Sequence, residues 1–358
     1  MRTADFDYDL PPDRIAQTPA ARREESRLLV LHRPESRVEH RRFHELPDLL
    51  RAGDLLVVND SRVIPARLRG FKAGSGGRFE ILLADRVSDH EWWVLLKPGR
   101  RVRVGTELRF STARGRETSL RATVLEKSGE GLCRLRFFGA ANLIDAVEEL
   151  GEVPLPPYIA RTPGADDRAD RERYQTVYAR EKGSVAAPTA GLHFSPALLE
   201  TLETRGIEMV RLTLHVGLGT FAPVKAEALT DHALHEESFE LGADAAGRIN
   251  AARSAGRRVV AVGTTCVRVL EHVAAHHDGA LVACRGRTAI FIYPPFSFRV
   301  VDGLITNFHL PRSTLLMLVS ALAAPGSTAG RDAVLRAYQE AIRAGYRFYS
   351  YGDAMLIV

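Results

Sequence analysis

The spacing of apolar residues divides the chain into three textures. Near the amino end, Leu28-Leu29-Val30-Leu31 and Leu55-Leu56-Val57-Val58 are continuous apolar runs of strand length, the second ending in the polar pair Asn59-Asp60. From about residue 65 to 151 the pattern turns to short alternating or β-branched runs, at 79–83, 92–96, 101–104, 120–124 and 132–137. Glycines at 76–77, 105, 115, 129 and 131 break them. Evenly spaced short strands with glycine turns predict a small antiparallel barrel, closed by a helix over 142–150.

Beyond residue 152 strands and helices alternate. Ser195-Pro196 opens a helix reaching Leu202, with serine as N-cap and proline in the first turn. Strands are predicted at 209–216, 259–262, 289–292, 304–306 and 354–358, and helices at 243–255, 267–275, 314–323 and 332–344. Such alternation predicts an α/β fold, a mostly parallel α/β/α core sheet covered on both faces. The barrel is then an insertion: residues 1–64 and 152–358 form the core domain and 65–151 the small antiparallel β-barrel domain. Val153-Pro154-Leu155-Pro156-Pro157-Tyr158 reads as a stiff linker back to the core.

Ligands of open α/β sheets lie beyond the carboxyl ends of the strands. Polar groups recur there: Asn59, Asp60 and Arg62; His215, Gly217, Gly219 and Thr220; Gly263, Thr264 and Thr265; Asn307, His309 and Arg312; and, near the end of the chain, Tyr351 and Asp353. The free N–H groups and hydroxyls of Gly263-Thr264-Thr265 suit a ribose or a carboxylate, and plain N-capping explains them equally well. Cys266 follows on the first helical turn, where a thiolate is favoured, although a small buried core residue is the simpler account. Residues 183–194 form a long run of small side chains through which backbone approaches a ligand closely, with Thr189, Gly191, His193 and Phe194 at its end. His215-Val216-Gly217-Leu218-Gly219-Thr220 has part of a dinucleotide loop but lacks its third glycine. In His232-Ala233-Leu234-His235-Glu236-Glu237 the two histidines fall on one face of a predicted helix; the order matches no zinc motif, and a proton-handling cluster or a capped surface helix is the better account. Ser313 or Thr314 would cap the helix after 307–312, but capping does not explain His309 and Arg312.

Composition narrows the class. The chain of 358 residues is 45% hydrophobic, enough for two domains with a sizeable core. Its amino end is polar, and the longest apolar run, 315–324, is too short to span a bilayer, so a cytosolic protein without membrane contact is expected. Three cysteines with no Cys-x-x-Cys argue against a disulfide framework or a cysteine metal site. Net charge is +5, but residues 61–121 carry fourteen Lys/Arg against six Asp/Glu, a local +8 that leaves −3 elsewhere. Such a surplus suits a polyanion; a solvated basic face is the alternative.

These strings resemble a known family almost end to end. Phe6-Asp7-Tyr8-Asp9-Leu10-Pro11, Ser26-Arg27-Leu28-Leu29-Val30-Leu31, Asn59-Asp60-Ser61-Arg62-Val63-Ile64-Pro65, the run 183–194, Leu214-His215-Val216-Gly217-Leu218-Gly219-Thr220-Phe221, Val262-Gly263-Thr264-Thr265, Thr306-Asn307-Phe308-His309-Leu310-Pro311 and Tyr346-Arg347-Phe348-Tyr349-Ser350-Tyr351-Gly352-Asp353 are similar to those of the ribosyltransferase-isomerases of queuosine biosynthesis. Departures are few: Ser61, Cys266 and Pro295 stand where Thr, Ser and Gly are expected, and the cysteine weakens any case for a catalytic thiol.

The resemblance implies an α/β core with an inserted barrel. It implies that the ribosyl part of S-adenosylmethionine moves to the aminomethyl group of a 7-deazaguanine (preQ1) at the wobble position of tRNA. Isomerisation then yields epoxyqueuosine, and adenine and methionine leave. S-adenosylmethionine is then a co-substrate, with no prosthetic group or metal, and the chain is expected to act as a monomer. The sulfonium acidifies the C5′ hydrogens, so a base near neutrality is needed, for which His215 and His309 are candidates. Asp60 or Asp353 fits the acid that protonates departing adenine if burial raises its pKa. Arg268, Arg312 or a helix N-terminus suits the methionine carboxylate, and Arg62, Arg67 and the barrel arginines suit phosphates. Phe194, Phe308 or Tyr351 suits stacking on a splayed base. Two rivals remain open: an S-adenosylmethionine-dependent RNA methyltransferase, which would form S-adenosylhomocysteine instead of adenine, and a non-catalytic RNA-binding protein, which would bind without turnover.

Overall fold

The computed structural model describes residues 1–33, 35–100, 102–112, 115–128, 131–161, 168–217 and 226–358. The chain forms two compact units. One comprises Met1–Ser61, Gln175–Glu181 and Pro188–Val358; the other comprises Arg62–Tyr174 and Lys182–Ala187, a longer stretch than 65–151.

In chain order the strands and helices of the two units are β1 (Arg27–His32), β2 (Arg37–Arg42), α1 (Leu46–Leu49), β3 (Leu55–Asn59), β4 (Ser61–Val63), β5 (Arg67–Lys72), β6 (Arg78–Arg86), β7 (Glu91–Lys97), β8 (Glu107–Ser111), β9 (Glu117–Lys127), β10 (Leu132–Phe138), α2 (Leu143–Leu150), α3 (Arg168–Arg173), β11 (Glu181–Ser184), α4 (Pro196–Thr204), β12 (Glu208–Leu214), β13 (Glu237–Leu241), α5 (Ala243–Ser254), β14 (Val259–Val262), α6 (Thr264–His276), β15 (Cys284–Thr288), β16 (Gly303–Asn307), α7 (Thr314–Ala323), α8 (Gly330–Arg343) and β17 (Ala354–Ile357).

The larger unit is built on a nine-stranded sheet, β15-β13-β12-β3-β14-β16-β17-β1-β2. It is mixed, which corrects the mostly parallel expectation. Four neighbouring pairs are parallel (β12–β3, β3–β14, β14–β16 and β17–β1) and four antiparallel. The reason lies in the connections. A single crossover helix returns the chain to its starting edge and gives a parallel neighbour. Two packed helices, α7 and α8, follow β16 and deliver the chain to the opposite edge, so β17 runs backwards against β16. β2 follows β1 directly as a hairpin.

β3 is buried along its whole length, as its unbroken apolar run requires. Leu56 and Val58 join Val260 and Val262 in one core, packed with Leu198 and Leu202 of α4. Successive strand residues face opposite ways, so Leu55, Val57, Val259 and Ala261 meet the other face, where α5 and α6 pack. Ser195 and Ser313 accept from the Leu198 and Leu316 amides at 3.2 Å and cap α4 and α7 as expected. Two expectations fail locally. Residues 289–292 are not a strand; β15 ends at Thr288. His232 to Glu236 are not helical, and Glu237 begins β13.

The smaller unit holds a closed antiparallel barrel, β10-β7-β6-β5-β8-β9. Its strands alternate buried and half-exposed positions, and Phe79, Phe110 and Phe137 fill the interior. Gly70 lies against the Arg109 carbonyl, and any Cβ there would also sit 2.8 Å from the Phe79 ring. Most barrel arginines face carboxylates: Arg67 to Glu80 at 3.2 Å, Arg69 to Glu152 at 2.8 Å, Arg109 to Glu117 at 3.3 Å and Arg136 to Glu91 at 2.7 Å. Arg62, on β4, is half-buried.

Candidate active site at the strand tips

The carboxyl ends of β3, β12, β14 and β16 lie along one edge of the large sheet, together with the amino ends of the oppositely running β17 and of β1. The chain beyond β3 reaches α4 on one face, whereas β14 leads directly into α6 on the other. The tips of these adjacent strands therefore bound a switch point, where α/β sheets bind ligands.

At that point Asn59 is wholly occupied. Its Nδ2 donates to the Leu214 carbonyl at 2.9 Å and to Thr265 Oγ1 at 3.3 Å, and its Oδ1 accepts from the Ser61 and Leu214 amides. It ties three loops together rather than offering free groups. Asp60 beside it is 1% exposed. Thr213 Oγ1 donates to its Oδ1 at 2.7 Å, while Oδ2 lies 3.1 Å from the Arg180 guanidinium in a charge contact too poorly aligned to be a hydrogen bond. Burial raises the Asp60 pKa, opposed by Thr213 and Arg180. Asp60 thus holds a proton more readily than an ordinary carboxylate.

Gly263, at φ +90°, makes the turn into α6, and Thr264 and Thr265 form its first turn. A Cβ on Gly263 would lie 3.8 Å from Ala190, so the single-turn helix Thr189–His193 comes directly against this turn. Gly191 is pressed against the Tyr178 hydroxyl and Thr176. Cys266 is buried, and burial pushes its thiol far up, as a core cysteine requires.

His193 and Asn307 meet next along the edge. Asn307 Nδ2 donates to His193 Nε2 at 3.3 Å and to the Tyr349 carbonyl at 3.1 Å. His193 Nδ1 sits 2.7 Å from Ser26 Oγ, which itself donates to the Arg23 carbonyl at 3.2 Å. With Nε2 accepting, the network assigns the proton to Nδ1. Burial, with Arg347 and Arg23 nearby, lowers the His193 pKa to about 3, so the ring is neutral. Asn307 Oδ1 is buried and accepts no hydrogen bond among the described residues.

His309 lies one turn further, with Nε2 2.9 Å from Thr306 Oγ1 and its amide donating to the Tyr338 hydroxyl at 3.1 Å. Burial lowers its pKa to about 3, so the ring is neutral. His215 is half-buried at the end of β12, its amide bonded to the Ser238 carbonyl at 2.9 Å. Gly217 donates to Glu237 at 2.9 Å. Gly219 and Thr220 lie outside the described residues.

Other candidates are placed elsewhere. Arg268 is buried in an ion pair with Glu237 and also donates to the Thr288 carbonyl, so it faces a carboxylate of its own chain. Arg312, at φ +56°, holds Asp7 and so fastens the amino-terminal segment. Asp353 accepts from the Arg27 and Arg347 amides at 3.0 and 2.8 Å, an anchor for the last turn. Phe194 and Phe308 are fully buried, against Phe43 and Tyr178 and against Tyr338 and Phe348 respectively, so neither has a face to offer a base. Tyr351 is likewise buried. Among the described residues no group of three or more metal-ligating side chains gathers, and no helix is long and apolar enough to cross a membrane. Ser26, Thr213 and Arg180 carry the network and escaped the sequence reading, as did the pairing of Glu237 with Arg268. Ser26 precedes a strand instead of following one, and the others pair across long separations.

A cleft of 610 Å³ opens on the same edge beside Ser26, lined by Arg27, Arg42, Arg347 and Asp353 among others.

A buried imidazole, a buried amide and a carboxyl raised by burial, gathered at the strand tips, define an α/β protein with a candidate ligand site at the switch point of its sheet. The chain belongs to the family described as Queuosine biosynthesis protein, whose profile matches residues 3–357. It is 54% identical over 359 residues to the S-adenosylmethionine:tRNA ribosyltransferase-isomerase of Moorella thermoacetica, and 51% identical over 358 residues to that of Desulfitobacterium hafniense; each alignment covers 100% of both chains. The crystal structure of S-adenosylmethionine tRNA ribosyltransferase from Thermotoga maritima is similar with a TM-score of 0.55 at 39% identity, over 99% of this chain and 100% of that one.

Proposed function

We propose that this protein is an S-adenosylmethionine:tRNA ribosyltransferase-isomerase. The observation that carries the reading is full-length identity of about half to relatives bearing that name. The finer reading is transfer and isomerisation of the ribosyl group onto preQ1 at the tRNA wobble position, giving epoxyqueuosine with release of adenine and methionine. It includes a single chain in the cytoplasm using S-adenosylmethionine as co-substrate, without prosthetic group or metal.

The site chemistry supports distinct roles. Departing adenine must gain a proton, and Asp60 is the group whose burial favours the protonated form at the switch point. The base that removes a C5′ proton must be neutral yet not too weak. Burial holds His193 and His309 neutral, with pKa values near 3, as positioning groups, and His215, half-buried at the end of β12, is the proposed base. Thr189, Gly191 and the Gly263-Thr264-Thr265 turn offer close backbone approach for the nucleoside.

The test mixes protein, S-adenosylmethionine and preQ1-bearing tRNA, and measures adenine, methionine and nucleoside mass. Adenine with a modified nucleoside is expected; S-adenosylhomocysteine instead would overturn the reading. Asp60→Asn should slow adenine release by about 10²–10⁴-fold, the usual worth of a general acid. Wild-type turnover in that variant removes Asp60 from the role.

A further inference from the structure

We propose that the cleft beside Ser26 is a docking site for RNA phosphodiesters, set by Arg27, Arg42 and Arg347 on the large unit. The inference rests on the tRNA-directed reading above and moves part of the polyanion contact away from the barrel, where overall charge first directs it.

The distinction is how each arginine is held. The barrel arginines named above face carboxylates, which cancel their charge locally. The cleft arginines are held mainly by carbonyls, which orient a guanidinium without neutralising it. Arg27 donates to the Ala344 carbonyl at 2.5 Å and stacks 3.8 Å over the Tyr346 ring. Arg42 donates to the Glu25 carbonyl at 2.9 Å, and Arg347 to the Thr18 carbonyl at 3.1 Å. Two carboxylates oppose them. Asp353 already accepts two backbone amides and lies 3.7 Å from Arg347, and Glu25 lies 3.9 Å from Arg22 outside the cleft. Three pre-oriented guanidiniums around an open space of 610 Å³ suit the forked geometry of phosphate oxygens.

Position supports the same assignment. Ser26 lines the cleft, and its hydroxyl bonds His193, which bonds Asn307 at the β16 tip. A phosphate-flanked nucleotide seated there would lie next to the strand-tip cluster.

Arg42 is exposed, so Arg42→Gln leaves the core untouched. In the full-length protein, the variant's tRNA affinity should fall about fourfold at 0.15 M salt, with the slope of log K against log salt shallower by about 0.7, the loss of one single-strand phosphate contact. Arg42→Lys should retain the slope, and Arg347→Gln should repeat the effect of Arg42→Gln. Binding of S-adenosylmethionine alone should be unchanged. The proposal is overturned if both glutamine variants bind tRNA like wild type with the same slope. It is equally overturned if they weaken S-adenosylmethionine but not tRNA. A wild-type protein that binds tRNA and releases adenine while the variants behave normally sinks the cleft alone; a wild type that does neither sinks the functional reading and the cleft with it.

Discussion

Arg268 offers a sharp test, because sequence reasoning offers it to a substrate carboxylate whereas the fold pairs it with Glu237. The two residues are 7% and 5% exposed. Glu237 has one oxygen on the guanidinium and the other accepting from the Gly217 amide at 2.9 Å. Arg268→Met keeps the bulk of the stem and strands the Glu237 carboxylate in the interior. Removing one partner of a buried pair costs about 3–5 kcal/mol. Contact-distance attraction of about 4 kcal/mol at an effective dielectric near 20 agrees with that range. Neither group is exposed enough for solvent to screen the loss. At about 2–4 °C per kcal/mol for domains of 150–250 residues, the melting temperature of the large unit should fall by roughly 6–20 °C. The double variant Arg268→Met/Glu237→Leu should regain at least half of it, since both charges leave together. Calorimetry reads the melting temperature, and titration with S-adenosylmethionine at low temperature reads binding. An Arg268→Met protein as stable as wild type, with S-adenosylmethionine affinity tenfold weaker, would refute the structural assignment and return the guanidinium to the ligand.

Two further outcomes follow from the same geometry. His193 is depressed from 6.5 to about 3 in the folded state, so the unfolded chain takes up a proton that the native one refuses as pH falls. Its stability contribution is full above about pH 6.5 and lost downward toward pH 3; between pH 7 and 5 this amounts to about 2 kcal/mol, and His193→Gln should show a correspondingly flatter pH dependence in urea unfolding. An identical slope in wild type and variant would mean that this ring is not buried neutral. Gly191→Ala places a methyl against the Tyr178 hydroxyl and 2.7 Å from Thr176 Cγ2, so the helix carrying His193 must shift. A loss of about 1–3 kcal/mol in stability is expected, together with reduced adenine release, and a fully active, fully stable variant would contradict the packing.

Much of the secondary structure was legible in local pattern. The unbroken run at 55–58 has to be buried on both faces, and it is. Ser195 and Ser313 cap the helices they precede, and α7 spans the predicted 314–323. Alternation in residues 79–83 and 120–124 matches barrel strands with one face inward. These features depend on neighbours a few residues away, which is what a string of letters records. Strand direction does not. β17 is antiparallel to β16 because two helices, not one, precede it, and that reversal brings Ser26 to the strand tips. Ser26, His193 and Asn307 are joined across separations of 167 and 114 residues. Phe194 and Phe308, read as surfaces for a base, are core, and Arg268 is the partner of Glu237. An aromatic ring or a guanidinium is the same letter whether it meets a ligand or another part of its own chain; only packing in three dimensions decides which, because burial and pairing are set by atoms far away in sequence.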